Sequence, residues 1–175
     1  MITKNNSLKV MELFYKYPNR TFHIREVARL VDLSSTGIIK IVKKLKMEGL
    51  LVSEKKNMIE EIKPNFEGSF YLLKRLYNIY SLYDSGLIDK IKSLYERPSA
   101  IILFGSYVNG TDTEKSDVDI AIISKTSKEL DTDKFERKLN RKINIHVISL
   151  ETASKEFKNS LANGIVLEGF AEYLK

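Results

Sequence analysis

The chain has 175 residues, 43% hydrophobic and 30% charged, with a formal net charge of +6, which excludes wholesale disorder and suits an ordinary globular protein. No apolar run approaches the ~20 residues that cross a bilayer, and the opening "MITKNNSLKVMELF" lacks a signal-peptide layout, so a cytoplasmic protein with no membrane partner is expected. Cysteine is absent, which excludes disulfides and thiolate metal sites.

The length accommodates one ample domain or two small ones, and the charge distribution favours two. Through Lys63 there are 13 Lys and Arg against 7 Asp and Glu, and beyond it 16 against 16, so the whole excess sits in the first third. Two parts with different partners are the natural reading.

In chain order, "NSLKVMELFYKYP" places Leu8, Met11, Phe14 and Tyr15 at helical spacing, and Pro18 closes the segment. "TFHIREVARLVDL" repeats the pattern with Ile24, Val27, Ala28 and Leu30, with Thr21 expected as N-cap. "SSTGIIKIVKKLKMEGLL" then predicts a third helix. Ile38, Ile41, Val42 and Leu45 make its apolar stripe, and Lys40, Lys43, Lys44 and Lys46 mostly face outward, with no acid before Glu48. "GLLVSEKKNMIEEIKP" reads as a hairpin of two strands around Lys55, Lys56 and Asn57.

Three helices followed by a hairpin, over roughly residues 5–63, resemble the winged helix-turn-helix family of DNA-binding domains. The resemblance implies double-stranded DNA as partner, with the third helix in the major groove and the wing on the backbone or minor groove. Carried onto this chain, Ser34, Ser35, Thr36, Lys40, Lys43 and Lys44 are the helix candidates for contact, with Lys55 and Lys56 on the wing. Lysines suit phosphates as point charges, and hydroxyls reach phosphates or base edges. The alternative is a solvated lysine face on a module that joins proteins. No Arg or Asn on this helix points to a particular base.

"NFEGSFYLLKRLYNIYSLYDSGLIDKIKSLYE" carries Tyr, Leu and Ile at helical intervals and predicts helices over about 65–83 and 86–96, broken near "DSG". Aromatic residues interleaved with Lys74 and Arg75 could stack on single-stranded nucleic acid. A stripe at helical spacing is more often core, so the segment is expected to pack the two modules together or to pair two chains as a homodimer.

"PSAIILFGSY" suits a buried strand ending at a glycine turn, and "SDVDIAIIS" a second strand. Asp117 and Asp119 are two apart and so share a face, a ready clamp for a hard ion such as Mg2+. Gly105 lets backbone approach a phosphate, and Ser106 offers a hydroxyl and an N–H. Gly105-Ser106, ten residues, then Asp117-x-Asp119, with Gly110 between, resemble the signature of the DNA polymerase beta superfamily of nucleotidyltransferases, above all its minimal prokaryotic members. The resemblance runs over roughly residues 86–174 and includes the closing "NSLANGIVLEG".

The resemblance implies a mixed sheet flanked by helices, ATP or another NTP on Gly105 and Ser106, and Mg2+ or Mn2+ ions on Asp117 and Asp119, which orient an attacking hydroxyl and the leaving pyrophosphate. Active members usually place a third carboxylate on the next strand. Here that strand is "KINIHVISL", and its inward candidates are Asn144, a weak amide ligand, and His146, a base or weak ligand or else a hydrogen-bonded strand histidine. Asp131, Asp133 and Glu136 lie on the preceding loop and helix, poorly placed to substitute.

The expected architecture is α/β in the α+β sense: a winged helix over 1–63, a helical connector over 64–96 and a nucleotidyltransferase core over 97–175. Two functions compete. One is an enzyme moving NMP from an NTP to a hydroxyl of a small molecule or of a protein, as in antitoxin relatives that modify a toxin. The other is a transcription regulator whose second domain senses nucleotide or holds a partner. A purely structural adaptor is the third reading, which the retained acids disfavour.

Overall fold

In a computed structural model, described for residues 5–56, 59–96, 98–149 and 153–172, the chain forms two compact units, Met1–Lys74 and Arg75–Lys175. The side chain of Lys56 and the hairpin turn at Asn57 lie outside the described residues.

The first unit holds α1 (Asn6–Lys16), β1 (Phe22–His23), α2 (Ile24–Val31), α3 (Ser35–Met47), β2 (Leu51–Lys56) and β3 (Ile59–Pro64). Asn5 caps α1 by accepting from the Leu8 amide at 2.8 Å, and Ser34 caps α3 by accepting from Gly37 at 3.1 Å. The three strands form an antiparallel sheet in the order β1-β3-β2. Phe22 pairs with Ile62, and both are fully buried. Phe14 meets Phe22 edge-on at 5.3 Å between ring centres. Ile38, Val42 and Leu45 turn α3 toward this core, and Ile41 is half-buried beside them. Every lysine expected on the outer face of α3 is exposed.

Two local expectations need correction. Residues 22–23 join the sheet, so α2 starts later than a Thr21 cap requires; its N-cap is His23, which makes no side-chain capping bond. Leu30 is 49% exposed rather than part of the α2 stripe, because Val27 and Ala28 already fill the side facing the core.

The division between units falls within α4 (Phe70–Ser85). The second unit continues with α5 (Leu87–Tyr95), β4 (Ala100–Phe104), α6 (Ser106–Asn109), β5 (Val118–Ile123), α7 (Asp133–Leu139), β6 (Ile143–Ile148), α8 (Lys155–Ala162) and β7 (Ile165–Gly169). Its sheet runs β6-β5-β4-β7, with β5 and β6 parallel and the other pairs antiparallel, so it is mixed. Strand alternation sorts the side chains. Ile101, Leu103, Val118, Ile120 and Ile122 pack with residues of α4, α5, α6 and α7, whereas Ala100, Ile102, Phe104, Ala121 and Ile123 pack with Leu161 and Phe157 of α8. The fold is therefore α/β with helices on both faces of the second sheet.

The connector differs from a simple aromatic stripe. α4 starts at Phe70 rather than near residue 65, and it breaks at Gly86, whose φ of 82° begins α5. Leu72 and Leu76 point outward, while polar Asn78 is buried. Asn78 donates to the Tyr107 carbonyl at 2.8 Å and to Asp112 at 2.7 Å. Its amide anchors α6 and the loop after it, so a helix position that an apolar pattern assigns to core is spent on holding a turn.

Candidate functional site

The sheet register builds the acidic site. Asp119 lies opposite Phe104 on β4 and opposite Asn144 on β6. Asp117, two residues earlier, belongs to the same side of the strand. This is the side covered by α8, at the end of β4 where the chain leaves for α6.

Gly105 makes the turn. Its φ of 79° and ψ of −156° are open only to glycine. A Cβ at this position would stand 2.8 Å from Asp119 Oδ2, so the absence of a side chain is what lets the turn close on the carboxylate. Ser106 begins α6 directly after it, and Gly110, with φ 73°, ends that helix. Beneath the turn, Tyr107 is buried, and its hydroxyl meets Ser81 Oγ at 3.0 Å. Burial pushes the Tyr107 phenol up to about 12. Asp112 is buried 3.6 Å from the Arg141 guanidinium.

Asn144 reaches both aspartates. Its Nδ2 donates to Asp119 Oδ1 at 3.0 Å and to Asp117 Oδ2 at 3.3 Å. His146, one step further into β6 on the same side, places Nε2 3.9 Å from Asp119 Oδ1, and its ring packs between Phe104 and Phe157 at 5.5 and 5.7 Å. The structure thus gathers Gly105, Asp117, Asp119, Asn144 and His146. Of the acids on the loop and helix before β6, Glu136 accepts from the Ile143 amide at 3.0 Å and from Thr132, and Asp131 accepts from the Asp133 amide, while Asp133 lines a cleft with Asp117.

Two carboxylates on one strand face are hard oxygen ligands, and the turn beside Asp119 carries no side chain. Among the described residues no group of three or more His, Asp and Glu is gathered to hold a metal. The residues fit an ion that takes the rest of its oxygens from a bound nucleotide.

In the first unit the candidate contacts sort unevenly. Ser34 spends its hydroxyl on the cap, while Ser35, Thr36, Lys40 and Lys43 are exposed. Lys44 is exposed with Glu48 3.8 Å away. The wing is largely self-paired: Lys55 stands opposite Glu60 in the ladder, Lys63 meets Glu54 at 3.0 Å, and Lys46 bonds both Ser53 and Glu60. The Ser53 hydroxyl and the Lys46 ammonium hold the Glu60 carboxyl below the usual range. Sequence reasoning missed Arg25 and Arg29, exposed on α2, which line a cleft of ≈ 700 Å³ with His23, Ile59 and Glu60. Their i, i+4 spacing was the available signal.

Residues 87–169 match the family described as "Polymerase beta, Nucleotidyltransferase". The nucleotidyltransferase superfamily is the class that this match supports for the second unit. No curated protein matches the chain. A solved structure of a mutant of ZitR from Lactococcus lactis is similar at 10% identity and a TM-score of 0.41, covering 53% of this chain and 64% of that one. The chain thus spans less than two thirds of that relative's length.

Proposed function

We propose that the protein couples a DNA-binding unit to a nucleotidyltransferase unit that binds an NTP with Mg2+ and transfers NMP to a hydroxyl of a protein or small-molecule acceptor. The observation that carries this reading is the closure of the Gly105 turn on Asp119, which brings side-chain-free backbone against one of two carboxylates on one strand face. A divalent ion bound there supplies charge neutralisation on the triphosphate.

The chain's own residues do the rest. The Gly105-Ser106 turn holds phosphate oxygens with backbone N–H and hydroxyl donors. Asp117 and Asp119 would hold the ion. The acceptor oxygen bonds the α-phosphorus as the α–β bridging bond breaks, pyrophosphate leaves, and the hydroxyl proton passes to a base. We assign that base to His146, whose Nε2 stands 3.9 Å from Asp119 Oδ1. In the first unit, Lys40 and Lys43 with the Ser35 and Thr36 hydroxyls form the face offered to DNA, and Arg25 and Arg29 extend it.

A second reading, a regulator that binds nucleotide without turnover, is favoured by one observation: an amide, Asn144, bonds the aspartates where an enzyme of this class usually carries an acid. Incubation with radiolabelled ATP, Mg2+ and co-purifying macromolecules separates the two. Label moving to an acceptor with release of pyrophosphate supports the enzyme. Nucleotide-dependent stabilisation with no label transferred supports the sensor.

A further inference from the structure

Resting on the nucleotide-and-ion reading above, the distribution of hydrogen bonds over the four aspartate oxygens limits how many ions the site can take. Asn144 Nδ2 carries two N–H groups and uses them on Asp119 Oδ1 and Asp117 Oδ2, at 3.0 and 3.3 Å. The opposite amide orientation would set a carbonyl oxygen against two carboxylates, acceptor against acceptor, so the donor orientation is the stable one. Two oxygens remain, Asp117 Oδ1 and Asp119 Oδ2. The second of these faces the Gly105 turn, 2.8 Å from where a Cβ would stand.

The carboxylates therefore have two working sides. On the turn side Asp119 offers Oδ2 against side-chain-free backbone, the side on which the reading above puts the phosphates. On the β6 side they already hold a neutral double donor. A cation bridging Asp119 Oδ1 and Asp117 Oδ2 would have to expel that amide. It would find in exchange only neutral groups, one amide oxygen and the His146 imidazole beside Asp119 Oδ1, with neither a third carboxylate nor a phosphate to balance its charge. The amide protons also offset part of the repulsion between the carboxylates, which removes a reason for a second ion to bind.

We infer that this site takes one divalent ion, bound with the nucleotide on the Gly105 side, and that the Asn144 amide stands in the place of a second. The ion count belongs to Asn144 itself and depends neither on the acceptor nor on turnover.

The test is a count of Mn2+ per chain, by electron paramagnetic resonance and equilibrium dialysis. It uses the intact protein carrying one non-hydrolysable ATP analogue. The native chain should hold one Mn2+, and Asn144→Asp, which replaces the donor with a third carboxylate, should hold two at the same free Mn2+. Two ions in the native complex would overturn the inference and leave the nucleotide reading standing. A folded Asn144→Asp that still holds one would overturn it as well, since the amide is then not what excludes the second ion. No ion and no analogue retained by the native chain would remove the nucleotide reading itself. Where Asn144→Asp does not fold, Asn144→Ala exposes the same two oxygens without adding charge. It should admit a second ion at roughly tenfold or more higher Mn2+, each tenfold being one ligand-sized increment of about 1.4 kcal/mol. A count fixed at one up to saturation then decides against the inference.

Discussion

Through Lys74 the chain carries 14 Lys and Arg against 8 Asp and Glu, and from Arg75 onward 15 against 15. The charged unit spreads much of its surplus over an exposed helix face, where lysines act through a screened field. The neutral unit places two acids side by side on one strand and closes a glycine turn against them. Net charge thus points to long-range attraction and says nothing about chemistry. The unit with no net charge is the one that brings named groups into direct contact, Asn144 on both aspartates and Gly105 against Asp119. Single substitutions should accordingly act by degrees in the first unit and all at once in the second.

The largest expected effect breaks the second unit's side of that contrast. At about 100 times its dissociation constant, an NTP with Mg2+ should stabilise the native chain by about 2.7 kcal/mol. The Asp117→Asn, Asp119→Asn double variant should lose this entirely in thermal unfolding. Transfer should fall on the order of 1,000-fold, because several kcal/mol of charge stabilisation goes with the ion. Stabilisation unchanged in the double variant would detach the aspartates from the nucleotide.

Next in size, Lys40→Ala, Lys43→Ala and Lys44→Ala together should weaken binding to all duplex sequences alike. They should lower the slope of log affinity against log salt by about 2.7, near 0.9 for each phosphate no longer neutralised. Nucleotide-linked stabilisation should not move. A salt slope unaltered by the triple variant would shift the DNA face to Arg25 and Arg29 or abolish it.

Gly105→Ala tests the turn directly. It forces a side chain into φ 79° and against Asp119 Oδ2, which should cost about 1–3 kcal/mol of stability and remove the nucleotide effect with the aspartates intact. Unfolding in urea with and without ATP and Mg2+ reads both.

The smallest effect separates the units by pH. Burial pushes Tyr15 in the first unit and Tyr107 in the second up to about 12, from an ordinary value of 10.0. The unfolded chain therefore loses these phenol protons first. The stability each contributes is complete below pH 10.0 and is lost as pH climbs toward about 12. Tyr107→Phe should cost about 1 kcal/mol or less at neutral pH and make the alkaline loss shallower for the second unit alone, with Tyr15→Phe doing the same for the first. Identical alkaline melting curves for native and Tyr107→Phe chains would contradict the burial.

Much was legible in the sequence because it is written in local period and punctuation. Helical spacing of Phe14 and Tyr15, or of Ile38, Val42 and Leu45, depends only on 3.6 residues per turn, and these side chains are buried. The strand carrying Asp119 announces itself by alternation and apolar run. A glycine next to a strand end reports a backbone that a side chain would block, and Gly105 has that conformation.

What neighbours in space decide could not be read from neighbours in sequence. The two-residue strand β1 exists because Ile62, forty positions away, offers it a partner, so α2 starts at Ile24 and not directly after Thr21. Asn78 sits in a helix like any polar residue until Tyr107 and Asp112 are folded against it. The same holds at the centre of the site. That two carboxylates share a strand face beside a glycine turn follows from alternation and steric exclusion along one stretch of chain. What stands beside them is set by a long-range pairing, the parallel register of β5 with β6. That pairing sets Asn144 opposite Asp119 and turns an amide toward both acids.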